Sequence, residues 1–151
     1  FRRLLRHCGF HLLKVLVIIT SAKPKMNSET QFVTPQSNKN RRATKTETGE
    51  LRIIGGQWKR SRLTFPLLDG VRPTPSRIRE TLFNWLTGKI LQRNCLDLFA
   101  GSGALGMEAL SRGAETVWLV DQSKAICKSL QAHANRLGAT KAKIIQGNAF
   151  L

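Results

Sequence analysis

The sequence is short of acid. Nine Asp and Glu stand against 25 Lys and Arg, giving a net charge of +16 and an isoelectric point near 11.2. Such an imbalance points to a polyanionic partner or surface. Cysteine is scarce as well: Cys8, Cys95 and Cys127 show no C-x-x-C or Cys/His ligand spacing, which excludes a disulfide framework or a zinc ribbon. Their odd number reads as free thiols of a reducing compartment, with Cys95 and Cys127 as small core residues among apolar neighbours. His7, His11 and His133 have no carboxylate or cysteine at useful spacing, so none is given a metal or catalytic role. Long apolar runs are missing too. The stretch 12–19 is interrupted by Lys14 and is too short to span a bilayer. At 41% hydrophobic, the chain has some length to spare outside a core.

What is present is unevenly placed. Residues 1–75 hold 15 Lys/Arg against 4 Asp/Glu, and residues 76–151 hold 10 against 5. The opening residues outline a secretory signal, with basic residues, an apolar run and then small residues. The alternative, preferred because the chain starts on Phe1 and a polar stretch follows Met26, makes Met26 the initiator and residues 1–25 upstream sequence. Residues 27–49 are rich in Ser, Thr, Asn, Gln and Lys and poor in large apolar side chains, which predicts a disordered basic tail.

Order is expected from Leu51. LRII, the pair Gly55-Gly56 and then QWKRSRLTF read as two strands joined through a glycine turn. On the second strand Trp58, Arg60 and Arg62 would share one face, with Lys59, Ser61 and Leu63 on the other. That surface can meet phosphates and stack a base, or Trp58 can simply pack. Thr74 is a candidate N-cap with Pro75 at the first helical position, and Ile78, Leu82 and Trp85/Leu86 recur at helical spacing before a stop at Gly88. Arg77 and Arg79 near the start of this helix oppose its dipole. Either an anion lies nearby or both are ordinary surface residues beside Glu80.

From Cys95 the pattern alternates strand and helix. CLDLF leads into a glycine turn, a helix over 104–112 and the strand TVWLVD. A helix capped by Ser123 and closed by Gly138 precedes the strand KAKIIQ. This β-α-β-α-β order predicts an α/β, Rossmann-like parallel sheet, here its first three strands, behind an N-terminal β-hairpin and helix. The expected division is 1–50 upstream or disordered, 51–93 hairpin and helix facing RNA, and 94–151 a partial cofactor domain.

Ligands of such sheets bind beyond the carboxyl ends of the strands. Asp97 precedes the turn Gly101-Ser102-Gly103, Asp121 ends the second strand with ribose-binding chemistry, and Asn148 follows the third, where an amide can address an adenine edge. Gly101-x-Gly103-x-x-Gly106 with Asp121 is also a dinucleotide fingerprint, which leaves an NAD-dependent oxidoreductase as an alternative. Asp97 tips the reading to S-adenosylmethionine, because a fixed negative charge favours its ammonium and sulfonium and not a pyrophosphate.

The segments LRIIGGQWKRSRLTFP, VRPTPSRIRETLFNWL and CLDLFAGSGALGMEALSRGA closely resemble the D-type bacterial 16S rRNA guanine-N2 methyltransferases, which act on the small ribosomal subunit; the likeness runs from about Leu51 to Leu151. The resemblance implies a class I fold that methylates the exocyclic amine of a guanine in 16S rRNA or the 30S subunit, as a cytoplasmic monomer without membrane attachment. It implies Asp97, Gly101, Gly103, Asp121 and Asn148 as cofactor residues. Trp58, Lys59, Arg60, Arg62, Arg72, Thr74, Arg77 and Arg79 are expected to face RNA. It also implies an Asp/Asn-Pro-Pro-Phe/Tyr element on a fourth strand, which does not occur before Leu151. The expectation is therefore a truncated chain without catalytic residues, inactive alone and prone to aggregate through its open sheet edge. A non-catalytic RNA-binding protein derived from the same family is the other reading.

Overall fold

In the computed structural model, residues 17–20, 31–32, 47–68 and 73–149 are described, the first two stretches as backbone. The order is β1 (Val17–Thr20), β2 (Gln31–Phe32), β3 (Thr48–Arg52), β4 (Arg62–Pro66), α1 (Ser76–Trp85), β5 (Asn94–Asp97), α2 (Gly106–Ser111), β6 (Thr116–Asp121), α3 (Lys124–Leu137) and β7 (Ala142–Gln146). As expected, β5, β6 and β7 are parallel neighbours, with Asp97 beside Leu119 and Asp121 beside Gln146.

Two findings differ from the expectation for residues 1–50. Val17–Thr20 pairs antiparallel with β5, and Gln31–Phe32 pairs antiparallel with β7, so the sheet runs β1-β5-β6-β7-β2. The physical reason is that each outer parallel strand presents a row of unpaired N–H and C=O groups. Val17, Ile18, Ile19 and Thr20 form a β-branched run that suits such an edge. The tail expected over 27–49 thus contains β2 and the start of β3.

The glycine turn is also longer than expected. The hairpin pairs Thr48 with Pro66 through Arg52 with Arg62, whereas Trp58, Lys59 and Arg60 lie in the turn and not on a strand. The turn is closed by Ile53 N–H to Ser61 C=O and Arg60 N–H to Ile53 C=O, at 3.0 and 2.8 Å. It rests on the end of α2: Gln57 N–H donates to the Ser111 carbonyl and Trp58 N–H to its Oγ, at 2.8 and 3.0 Å. Gly56 has φ +77°, and any Cβ there would collide with the Ser111 carbonyl, which explains the glycine.

On β4, Leu63 and Phe65 point inward while Arg62 and Thr64 alternate outward. The outer edge of this strand is covered by α3 side chains. His133 Nε2 accepts from Thr64 N–H at 3.0 Å, Ser129 Oγ donates to Thr64 C=O at 2.7 Å, and Arg136 donates to the Arg62 carbonyl. Ser123 caps α3 by accepting from Ile126 N–H, and Gly138 ends it at φ +64°, both as expected. Leu51, Ile53, Leu63 and Phe65 of the hairpin share one core with Met107, Val117, Leu119, Ile126 and Leu130.

Helix α1 follows the expected face only in part. Leu82 and Leu86 pack against the core, but Ile78 and Trp85 are 51% and 72% exposed; the N-cap is Pro75, one residue beyond Thr74, and the helix buries Arg79 and Phe83. The cause is Glu108 on α2. Its carboxylate, 1% exposed, accepts Ile54 N–H and Gly55 N–H, each at 2.8 Å, and Arg112 Nε at 2.8 Å. Arg79 Nη1 stands 3.8 Å from its other oxygen, and Arg112 lies over the Phe83 ring at 5.0 Å. Turning Arg79 inward turns Phe83 inward with it, four residues on.

Glu108→Gln is expected to lower the unfolding free energy by about 3–5 kcal/mol, because it leaves Arg79 buried without its counter-charge. Urea unfolding measures this. A loss under about 1 kcal/mol would mean that the carboxylate is not what joins these elements.

Candidate functional site

The carboxyl ends of β5, β6 and β7 lie side by side, which brings Asp97, Asp121 and the Gly147-Asn148 turn to one edge of the sheet. The loop after β5 is tied down at both ends. Ala100 N–H donates to the Val120 carbonyl at 2.9 Å, and Gly103 N–H to the Ala100 carbonyl at 2.7 Å. Gly101 and Gly103 take φ of +49° and +76°, backbone that L side chains rarely adopt. Asp121 Oδ2 accepts from Gly101 N–H at 2.9 Å and its Oδ1 from Ser123 N–H at 2.8 Å, so one carboxylate fixes both the loop and the start of α3. Each of its oxygens keeps a further lone pair for a hydroxyl. Gly147 N–H donates to the Asp121 carbonyl at 3.0 Å, which sets exposed Asn148 next to that strand end.

Asp97 differs from the other four. It is 2% exposed, and its Oδ2 accepts from Gly106 N–H at 3.1 Å. Burial pushes its carboxyl up to about 7; hydrogen bonds from Gly106 and Phe99 pull against this, and the Asp121 charge adds to it. Asp97 therefore shapes the loop from below, through its hold on the Gly106 N–H. Gly103 and Gly106 have a packing role as well: a Cβ on either would lie 2.5 Å from a leucine methyl, of Leu130 and of Leu119 respectively.

The described residues expected to face RNA divide into three groups. Lys59, Arg60, Arg62 and Arg77 are exposed. Trp58 is half-buried against the core, and the carbonyl of Thr74 accepts from Arg79 Nε at 3.1 Å. Arg79 is 3% exposed and engaged by Thr74, Arg52 and Glu108, which fixes it as a structural cation. Arg72 lies outside the described residues. Sequence reasoning missed Glu108 and Arg112. The one available signal was a pair of cations opposing the dipole of α1: the anion that accounts for Arg79 is Glu108.

The Asp97 carboxyl sits above its unfolded value, so the folded state holds that proton more tightly. Its contribution to stability is complete below about pH 4 and is lost as pH rises through about 7. His133 works in the opposite sense, since burial lowers its ionisation and stability is lost as pH falls. Comparison of the chain with its Asp97→Asn variant isolates the first effect. The stability of the chain relative to the variant should decline between about pH 4 and 7 and level off above, by urea unfolding at each pH. A constant difference would refute the assignment.

Residues 51–150 match the family model described as Conserved hypothetical protein 95. The chain is 48% identical to ribosomal RNA small subunit methyltransferase D of Escherichia coli over 103 residues, 68% of this chain and 52% of that protein. It is 46% identical to the protein of the same name in Haemophilus influenzae over 94 residues, 62% and 49% of the two chains. Among solved structures, a putative methyltransferase of Escherichia coli superposes with a TM-score of 0.62 at 46% identity, over 67% of this chain and 54% of that one. A putative methylase of Haemophilus influenzae gives 0.54 at 40% identity, over 66% and 53%. The chain spans about half the length of the curated relatives it matches. With its glycine loop and strand-end carboxylates inside the matched stretch, this chain belongs to the Conserved hypothetical protein 95 family.

Proposed function

We propose that this chain carries the cofactor-binding half of an S-adenosylmethionine-dependent methyltransferase that modifies a guanine exocyclic N2 of 16S ribosomal RNA. The observation that carries the reading is the loop 97–106 with Asp121 at the adjoining strand end, inside a stretch 48% identical to a ribosomal RNA methyltransferase. The site fits the cofactor in its donor set. A buried carboxylate under a glycine loop suits a cationic ligand, and a half-exposed Asp121 suits a ribose diol. A dinucleotide pyrophosphate would meet the Asp97 charge, which disfavours the oxidoreductase reading.

When bound, S-adenosylmethionine supplies an electrophilic methyl group. Gly101 and Gly103 open the loop backbone to it, Asp121 holds hydroxyls, Asn148 offers an amide to the adenine edge, and Asp97 balances positive charge. None of these residues transfers a proton in this reading. A guanine amine is a weak nucleophile because its lone pair is delocalised, so orientation of the amine carries most of the rate. Lys59, Arg60, Arg62 and Arg77 supply phosphate contacts on the RNA side, with Trp58 and Thr74 beside them. The partner is 16S RNA or the assembling 30S subunit, met by a monomer in the cytoplasm. Among the described residues no helix is long and apolar enough to cross a membrane.

Residues 51–150, grafted in place of their counterpart in the Escherichia coli relative, test the reading. The chimera should transfer label from S-adenosylmethionine to guanine N2 of 16S RNA, and Asp121→Ala should reduce transfer at limiting cofactor by about 10- to 100-fold. A folded chimera that transfers nothing, or that labels ribose or a ring carbon, contradicts it.

A further inference from the structure

Between the hairpin and the start of α1 lies an open groove of about 570 Å³, away from the loop 97–106. Its walls include Arg52 and Arg60 from the hairpin, and Thr74 and Ser76 from the entry to α1, with Glu50 and Glu80 also on its lining. Arg79 lines it too, although only 3% of that residue's surface is exposed. Arg79 Nε donates to the Thr74 carbonyl and Nη1 to the Arg52 carbonyl, at 3.1 and 3.0 Å. Among the described residues its Nη2 has no hydrogen-bond partner. A guanidinium held rigid on two sides therefore keeps donor capacity toward the groove.

Charge in the walls is not evenly matched. Glu50 is already drawn to Arg52 and Arg62, at 3.9 and 3.6 Å, and Glu80, exposed on the helix, acts with Glu108 on the charge of Arg79, which leaves Arg60 as the wall cation with no ion pair among the described residues. Arg60 is exposed in the turn, at φ +70°. The first turn of α1 has no acidic residue and no side-chain cap, so its dipole adds positive potential at the same end.

We propose that this groove is a phosphate subsite for the substrate RNA, with Arg52 and Arg60 closing on one backbone phosphate above the buried Arg79. The proposal rests on the functional reading above and extends it by naming where the strand is gripped. Arg52 and Ser76 thereby join the RNA-facing residues, and Arg79 returns to that surface as a fixed floor and not as a mobile contact. Planar guanidinium groups meet phosphate oxygens in pairs, which suits one phosphate better than a base edge.

The test is the salt dependence of binding of the full 151-residue chain to a fluorescent single-stranded 16S RNA fragment. Arg52→Gln and Arg60→Asn each remove a charge without burying anything, and asparagine tolerates the φ of Arg60. Removing one phosphate contact should weaken binding about tenfold and reduce the slope of log K against log salt by about 0.7. S-adenosylhomocysteine binding should stay unchanged in both variants, which shows that they are folded. RNA binding by the chain with slopes unaltered in both variants overturns the subsite and leaves the functional reading standing. No RNA binding by the unsubstituted chain overturns both. A slope that falls for one variant alone assigns the phosphate to that arginine and refutes the paired grip.

Discussion

The buried carboxylate of Glu108 is the point on which the other elements depend. Three donors and one further cation from three separate stretches converge on it: two backbone N–H groups of the hairpin turn and Arg112 one turn along donate hydrogen bonds, and Arg79 of α1 adds an ion pair at 3.8 Å. A lone buried carboxylate would be strongly disfavoured, and so would a lone buried guanidinium. Each is tolerable only with the other in place. The consequence is that a hairpin, a helix and the first parallel unit, far apart in sequence, have one relative arrangement.

The same helix continues directly from the glycine loop. Helix α2 is six residues long, too short to hold its position by helical stability alone. Asp97 fixes its first N–H, Glu108 anchors its middle, and Ser111 receives the hairpin turn at its end. Gly103 and Gly106 allow the backbone to settle against Leu130 and Leu119. The glycine loop is therefore shaped from beneath by packing and from the side by Asp121. The polar atoms that remain face the edge where three strands end. The hairpin is set against that loop through one short, fully anchored helix.

Much of this was legible in the sequence, for a physical reason. Short apolar runs ending in Asp97 and Asp121, the cap at Ser123 and the stop at Gly138 are local signals, and the structure follows them. The hairpin also appeared, but the length of its turn did not. Trp58-Lys59-Arg60 has strand-like composition, and only the grip of Ser111 on the turn reveals that it bends. The apolar spacing of helix α1 puts Ile78, Leu82 and Trp85/Leu86 on one face, of which Leu82 and Leu86 pack against the core and Ile78 and Trp85 do not. A long-range ion pair overrode that spacing, and no window along the chain contains both Arg79 and Glu108. The edge strands β1 and β2 were invisible likewise, since pairing depends on an open edge contributed from elsewhere.

The central claim is that the loop 97–106 with Asp121 is built for a cationic adenosine ligand and not for a dinucleotide. Calorimetric titration of the chain with S-adenosylmethionine and, separately, with NADH tests it most directly. The account predicts heat of binding for S-adenosylmethionine, lost in Asp121→Ala and weakened in Asp97→Asn, and none for NADH. Saturable binding of NADH, with no response to S-adenosylmethionine, would contradict it.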